Sequence, residues 1–275
     1  MDFIEYNFTI SPPTPWSEIL LAKLSQIEFD SFEENDTGLK GYIKRDFDDE
    51  EFVQEQIGEM EGAQITYEKQ NIQQVNWNEE WEKNFQPISV DDRCYIRAEF
   101  HEEKPNVKYD IVIQPKMSFG TGHHETTHLL IEFILDTEFD DKVVLDMGTG
   151  TGILGILAKM RGAKSVDAID IDEWSYENAI ENAERNKVDV QVMKGGAESI
   201  PSSTEYDIIL ANINKNVLIE DMPFYVNQLK KGGTLFLSGL YDFDEDDIRK
   251  ETEKYGLTFE AKRIRNEWIA LKFNY

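Results

Sequence analysis

The sequence predicts an α/β protein in two parts: a small α+β domain at the N-terminus, then a larger domain built on a mostly parallel, helix-covered sheet. Three observations carry this: the β-α-β-β-α-β order of the first 70 residues, regular strand–helix alternation from Lys142 onward, and closely spaced glycines between an apolar strand and an amphipathic helix. At 275 residues the chain exceeds the usual size of one domain, so a main domain with a smaller companion is the natural expectation.

Residues 2–10 read as extended and 15–27 as helical, and residues 29–45 read as two strands turning at Thr37-Gly38. Phe52, Val53, Ile57 and Met60 recur at helical spacing within 48–61, and 63–68 is strand-like. That order is the ferredoxin-like unit, which serves many unrelated functions and reveals little by itself. Residues 1–70 are therefore expected to form one domain. A polar stretch, 69–76, leads into Trp77, Trp81 and Phe85, spaced every four residues on one face of an expected linker helix at 71–86. Residues 87–275 form the second domain. It is expected to open with a β-hairpin of 95–99 and 109–114, and to continue with buried-type strands at 143–146, 165–170, 207–211 and 234–237. Segments 257–263 and 268–273 read as a closing hairpin turning near Asn266.

With 28 basic and 55 acidic residues, the net charge of −27 repels phosphate backbones, so DNA or RNA is not expected as substrate. Residues 1–90 hold 20 acids and 6 bases, a net of −14, which suits a cationic partner or simply solubility. No stretch approaches the roughly 20 apolar residues of a membrane helix. The N-terminus lacks the basic start of a signal peptide, and the single cysteine, Cys94, excludes an intrachain disulfide. The expected setting is the cytoplasm.

The segment Val143-Val-Leu-Asp146-Met-Gly148-Thr-Gly150-Thr-Gly152-Ile-Leu-Gly155 suits a nucleotide cofactor: glycines turn tightly beside a ligand, and the helix that follows offers free N–H groups. Asp170 lies 22 residues after Gly148, at the end of the next strand, where its carboxylate can accept ribose hydroxyls. Gly150-Thr-Gly152-Ile-Leu-Gly155 also satisfies the dinucleotide fingerprint G-x-G-x-x-G. Asp146 before the turn argues against that reading, since a carboxylate beside a pyrophosphate is repulsive, whereas S-adenosylmethionine carries a sulfonium and an ammonium and no phosphate. The Asn212-Ile213 step and the closing hairpin point the same way. A second segment, Phe119-Gly-Thr-Gly122-His-His124-Glu-Thr-Thr127-His128, contains the zinc-protease pattern His124-Glu125-x-x-His128. Gly120 and Gly122 place these histidines at the frayed start of a helix, which favours instead a use of Thr126 and Thr127, either on the methionine end of the cofactor or as plain helix caps. No metal is expected.

Taken together these motifs resemble the bacterial ribosomal protein L11 methyltransferase family. The resemblance rests on residues 77–87, Phe119 to Thr127, Val144 to Gly152, Ala168-Ile-Asp-Ile-Asp172, Glu181-Asn-Ala-Glu-Arg-Asn186 and Ala211-Asn-Ile213. It implies a Rossmann-like class I methyltransferase domain behind a ferredoxin-like substrate-recognition domain, with S-adenosyl-L-methionine as cofactor. It further implies a cofactor site at Thr127, Gly148, Asp170 and Asn212, with Thr126 and Gly150 beside them. The implied partner is ribosomal protein L11, methylated at lysine ε-amines and the N-terminal α-amine; a class I methyltransferase of another protein or a small molecule is the alternative. Apart from the resemblance, the chain is expected to be a monomer. Asn212, with the carbonyls next to it, is expected to orient the amine or the cofactor at the strand end. Asn214 departs from the family, which often has an apolar residue there.

Overall fold

A computed structural model describes residues 3–35, 37–60, 62–72, 85–114, 116 and 118–275. The chain divides into two compact units, Met1–Glu80 and Trp81–Tyr275.

In the first unit the elements run β1 (Phe3–Ser11), α1 (Trp16–Leu24), β2 (Phe29–Asn35), β3 (Gly38–Lys44), α2 (Glu50–Gly58) and β4 (Gln64–Ile72). The strands form one antiparallel sheet in the order β2-β3-β1-β4, the ferredoxin-like arrangement. Period-two alternation turns Ile4, Tyr6, Phe8 and Ile10 of β1 inward, onto a core shared with Leu20 and Leu24 of α1 and Val53 of α2. Helix α2 starts where the Asp49 carboxylate accepts the Phe52 N–H at 3.0 Å. The polar stretch read as the start of a linker is partly strand: Lys69 to Ile72 continue β4 in register with Phe3 to Tyr6. Their polarity reflects an exposed face, with Lys69 ion-paired to Asp48 at 2.6 Å and Glu50 at 2.7 Å. Trp77 and Trp81 of the expected linker helix lie outside the described residues. Phe85 is buried, with its ring 4.9 Å from that of His123.

The second unit opens with β5 (Ile88–Val90), β6 (Cys94–Arg97) and β7 (Tyr109–Val112). The hairpin expected between 95–99 and 109–114 is absent: β6 and β7 run parallel, and the antiparallel partner of β6 is β5. Asp91 and Asp92 make the reversal, both at φ +50°, whereas residues 98–108 form a crossover long enough to bring the chain back to its starting end.

After α3 (Glu125–Asp136) come β8 (Val143–Met147), α4 (Ile153–Met160), β9 (Ser165–Asp170), α5 (Glu173–Arg185), β10 (Gln191–Lys194), β11 (Tyr206–Asn212), α6 (Lys215–Gln228), β12 (Leu229–Tyr241), α7 (Glu245–Lys254), β13 (Thr258–Arg265) and β14 (Trp268–Asn274). They build a seven-stranded sheet in the order β10-β9-β8-β11-β12-β14-β13, in which the expected closing hairpin supplies both antiparallel pairings, β14 being the one strand that runs against the others. Strand β10 is additional to the four expected parallel strands; as an edge strand with no fully buried residue it lacks an apolar run. Alternate residues feed two cores: Val144, Leu210 and Phe236 pack on one face, Leu145, Ile209 and Leu235 on the other. Strand order reverses after β8, so the carboxyl ends of β8 and β11 flank the crevice where such sheets bind ligands.

Candidate active site

The turn after β8 is braced from below and from the side. Asp146 is fully buried under it, where one carboxylate oxygen, Oδ2, accepts the Thr149 hydroxyl at 2.6 Å and the Gly155 N–H at 3.0 Å. Burial, reinforced by the charge of Asp170, pushes the Asp146 carboxyl up to about 6 against the hydrogen bonds of Thr149 and Gly155. Asp146 therefore holds the turn and does not face a ligand. From the side, Asp170 accepts the Gly150 N–H at 2.8 Å on Oδ2 and the Asp172 N–H at 3.0 Å on Oδ1. Gly150, at φ +55°, has no room for a side chain: a Cβ there would stand 2.2 Å from the Phe119 carbonyl oxygen. That carbonyl accepts the Thr151 N–H at 2.9 Å, and the Thr151 hydroxyl bonds the Gly120 carbonyl at 2.5 Å. The two glycine segments of the sequence are thus one interlocked structure.

Above this turn lies a cavity of about 780 Å³, within the range of small-molecule sites. Of the expected site residues, Gly148, Gly150, Asp170, Asn212 and Thr126 line it, and Thr127 stands behind the wall. Thr127 is wholly buried and its hydroxyl accepts from Asn212 Nδ2 at 3.3 Å. This contact turns the amide of Asn212, at the end of β11, so that its Oδ1 is buried without a hydrogen-bond partner. An unpartnered buried acceptor is costly unless a ligand completes it. The lining carries five carboxylates, Asp170, Asp172, Glu198, Glu220 and Asp221, and among its described residues neither lysine nor arginine. Such a surface disfavours a pyrophosphate and favours a cation. The charge argument against a dinucleotide thus holds, but through these residues and not through Asp146.

Residues 19–275 match the family model described as Ribosomal protein L11 methyltransferase (PrmA). The chain is 48% identical to the Ribosomal protein L11 methyltransferase of Bacteroides thetaiotaomicron over the whole of both chains. It is 44% identical to that of Porphyromonas gingivalis, over 93% of this chain and 90% of the relative. The chain belongs to the ribosomal protein L11 methyltransferase family. It is an S-adenosylmethionine-dependent enzyme. A crystal structure of ribosomal protein L11 methylase from Lactobacillus delbrueckii subsp. bulgaricus superposes with a TM-score of 0.65 at 29% identity, covering 69% of this chain and 98% of that one.

The remaining family segments have structural roles that spacing alone does not disclose. Asn182 and Asn186 of α5 serve the backbone: Asn182 accepts the Gln114 N–H at 2.8 Å and donates to the Thr151 carbonyl at 2.9 Å, and Asn186 bonds both polar groups of Val112. They take the place of a neighbouring strand along the open side of β7. Asn214 caps α6 by accepting the Val217 N–H at 3.2 Å, a role an apolar residue cannot fill. The zinc pattern dissolves in the same way. His124 is the N-cap of α3, in extended conformation, with Nδ1 engaged by the Thr126 hydroxyl at 2.9 Å, so it does not share a helical face with His128. Among the described residues no group of three His, Cys, Asp or Glu side chains is placed to hold a metal, and no helix is long and apolar enough to cross a membrane. Cavity residues the sequence did not single out are Gly195 and Gly196, the acids Glu198, Glu220 and Asp221, and Trp268, which come from separate segments with no motif of their own.

Proposed function

We propose that the enzyme methylates ribosomal protein L11 on amines, lysine ε-amino groups and the N-terminal α-amine, in the cytoplasm where ribosomes assemble. The names of its relatives give the protein substrate; the observation that carries the amine reading is the unpartnered Asn212 Oδ1 in an acidic cavity. In this reading Asp170 binds the ribose hydroxyls, Gly148 and Gly150 allow close backbone approach, and Thr126 and Thr127 serve the methionine end, Thr127 through Asn212. Residues 1–72, which end with β4, recognise L11, and 87–275 catalyse.

The cofactor supplies a methyl group already activated by its sulfonium, so no protein nucleophile is required. What the chain must do is align a neutral amine and keep water out. A lysine is protonated at neutral pH, with a reference pKa of about 10.4. The acidic lining attracts that ammonium form. Asn212 then offers an acceptor without charge, which positions an amine N–H while leaving the ammonium free to lose its proton to solvent water before transfer. A carboxylate there would hold the proton in place.

Transfer of labelled methyl from S-adenosylmethionine to purified L11, with an unrelated basic protein as control, tests the substrate: label on L11 amines alone supports it, and equal label on both proteins discards it. The same assay tests Asn212. Asn212→Ala is expected to lower kcat by about tenfold or more, the loss of one oriented hydrogen bond in the transition state. Asn212→Asp should be slow at neutral pH and recover towards alkaline pH; full turnover by Asn212→Ala at saturating cofactor would remove the residue from the chemistry.

A further inference from the structure

The chain just past Asn212 is held in place by the strands on either side of it. β11 lies between β8 and β12, and its last residue, Asn212, stands level with Ser238 of β12. The next N–H, that of Ile213, donates to the Ser238 carbonyl at 3.1 Å. Ile213 then lies against the following residue of β12, Gly239, and both line the cavity together with Asn212. Gly239 has φ +86°, in the left-handed region that favours glycine. A Cβ on it would stand 2.2 Å from the Ile213 carbonyl oxygen, 2.7 Å from the carbonyl carbon and 3.0 Å from the nitrogen. All three are backbone atoms, which cannot swing aside as a flexible side chain can. On the other flank Ile213 packs over Gly148 of the Gly-rich turn, where a Cβ would stand 3.3 Å from Ile213 Cγ1. Ile213 is thus clasped between two residues without side chains, one from each strand beside β11.

Gly239 reaches this place because β12 is bulged there. Pairing of β12 with β14 runs evenly from Thr234 opposite Asn274 to Ser238 opposite Ala270, then slips so that Leu240 faces Ile269, leaving Gly239 as the extra residue. The Ser238 hydroxyl is fully buried and spans the slip, donating to the Ile269 carbonyl at 2.8 Å. Bulges of this kind re-aim a strand beside an active site. What is aimed here is the end of β11. The Asn212 amide has one anchor, the Thr127 hydroxyl that accepts from Nδ2 at 3.3 Å, and its Oδ1 is buried without a partner. Its direction therefore depends on where the backbone of 212 and 213 runs.

We propose that Gly239 is the positioning residue for Asn212: the bulged residue leaves the space in which the Ile213 peptide lies, and so sets the direction of the Asn212 amide at the cavity. The proposal rests on the reading that Asn212 serves the reaction. A side chain at position 239 would push the Ile213 peptide away by about 1 Å, from 2.2 Å to a tolerable contact above 3.0 Å. Misplacement of that size near the reacting groups costs up to about a hundredfold in rate. Cofactor binding is spared, because the bonds of Asp170 to Gly150 and Asp172 involve neither β12 nor Ile213.

The first test requires no methyl transfer, so it stands apart from whether Asn212 acts on an amine. The intact chain carries isotopically labelled asparagine and is saturated with S-adenosylhomocysteine. The side-chain amide signal of Asn212 is identified in the nuclear magnetic resonance spectrum by its loss in Asn212→Ala. In Gly239→Ala that signal is expected to shift while S-adenosylhomocysteine affinity stays within about threefold, and kcat on L11 should fall by about ten- to hundredfold. Should Gly239→Ala fail to fold, Ser238→Ala removes only the hydroxyl that spans the slip, and it is expected to shift the same signal and lower kcat several-fold. A shifted signal with unchanged kcat would support the positioning and remove Asn212 from the chemistry. An unshifted signal in the variant that folds, or a loss of S-adenosylhomocysteine affinity as large as the loss of kcat, would overturn the proposal.

Discussion

Two carboxylates a strand apart, both next to glycines, are put to different uses by their surroundings. Asp146 is sealed under the turn and its carboxyl is raised to about 6, chiefly by burial. A raised pKa means that the fold binds the proton more tightly than the unfolded chain does. Its contribution to stability is therefore complete below about pH 4, is lost as pH rises through about 6, and amounts to about 3 kcal/mol. Asp146→Asn keeps an acceptor for Thr149 and Gly155 but cannot ionise. Relative to the parent chain it should gain stability progressively between about pH 4 and about pH 6 and keep that gain at higher pH, read by urea unfolding at each pH; a pH-independent difference would show that Asp146 does not titrate in this range. Asp170 lines the cavity, and its two braces to Gly150 and Asp172 leave lone pairs on both oxygens. Asp170→Ala should weaken S-adenosylhomocysteine binding by about ten- to hundredfold, the worth of charge-assisted hydrogen bonds, as measured by calorimetry. Unchanged affinity would refute its ribose role.

At the scale of elements, the site depends on how the Gly-rich turn is buttressed by segments distant in sequence. Phe119 and Gly120 hold it from one side and Asn182 of α5 from another. Asn182 is fully buried, so replacing it leaves the Gln114 N–H and the Thr151 carbonyl without their partner. Asn182→Ala is expected to cost about 2–3 kcal/mol in denaturant unfolding, more than a surface asparagine would. A change under about 0.5 kcal/mol would mean that water replaces the side chain at both groups. The sequence marked Glu181 to Asn186 as part of a family pattern without disclosing this use. Hydrogen bonds across 68 and 74 residues of chain have no local signature, whereas the apolar strands and the glycines that flank them do.

At the scale of the molecule, charge is distributed to suit the proposed partner. The net charge of −27 and the acidic cavity both draw a basic protein, and the attraction is long-ranged only where salt is low. Raising NaCl from about 50 to about 300 mM should therefore raise the KM for L11 several-fold while kcat changes by less than about twofold. A KM indifferent to salt would reduce the acidity to a solubility device. Each unit has its own apolar core, Tyr6, Phe8 and Leu20 in the first and the two faces of the large sheet in the second, so neither relies on the other for an interior.

Local pattern determined much of this protein. The β-α-β-β-α-β order, the parallel strands β8, β9, β11 and β12, the closing hairpin and the turn between Gly148 and Gly152 all follow from hydrophobic period and from the residues a sharp turn demands, which neighbours in sequence settle among themselves. Tertiary structure decided what depends on who lies beside whom. It made β6 and β7 parallel, added the edge strand β10, turned Asp146 away from the cavity, and seated Asn212 against Thr127. It also stacked Tyr241 on Trp268. Pairing direction, burial of a charge and the facing of two side chains are set by the closure of long loops around a packed core, and no window of sequence contains that information.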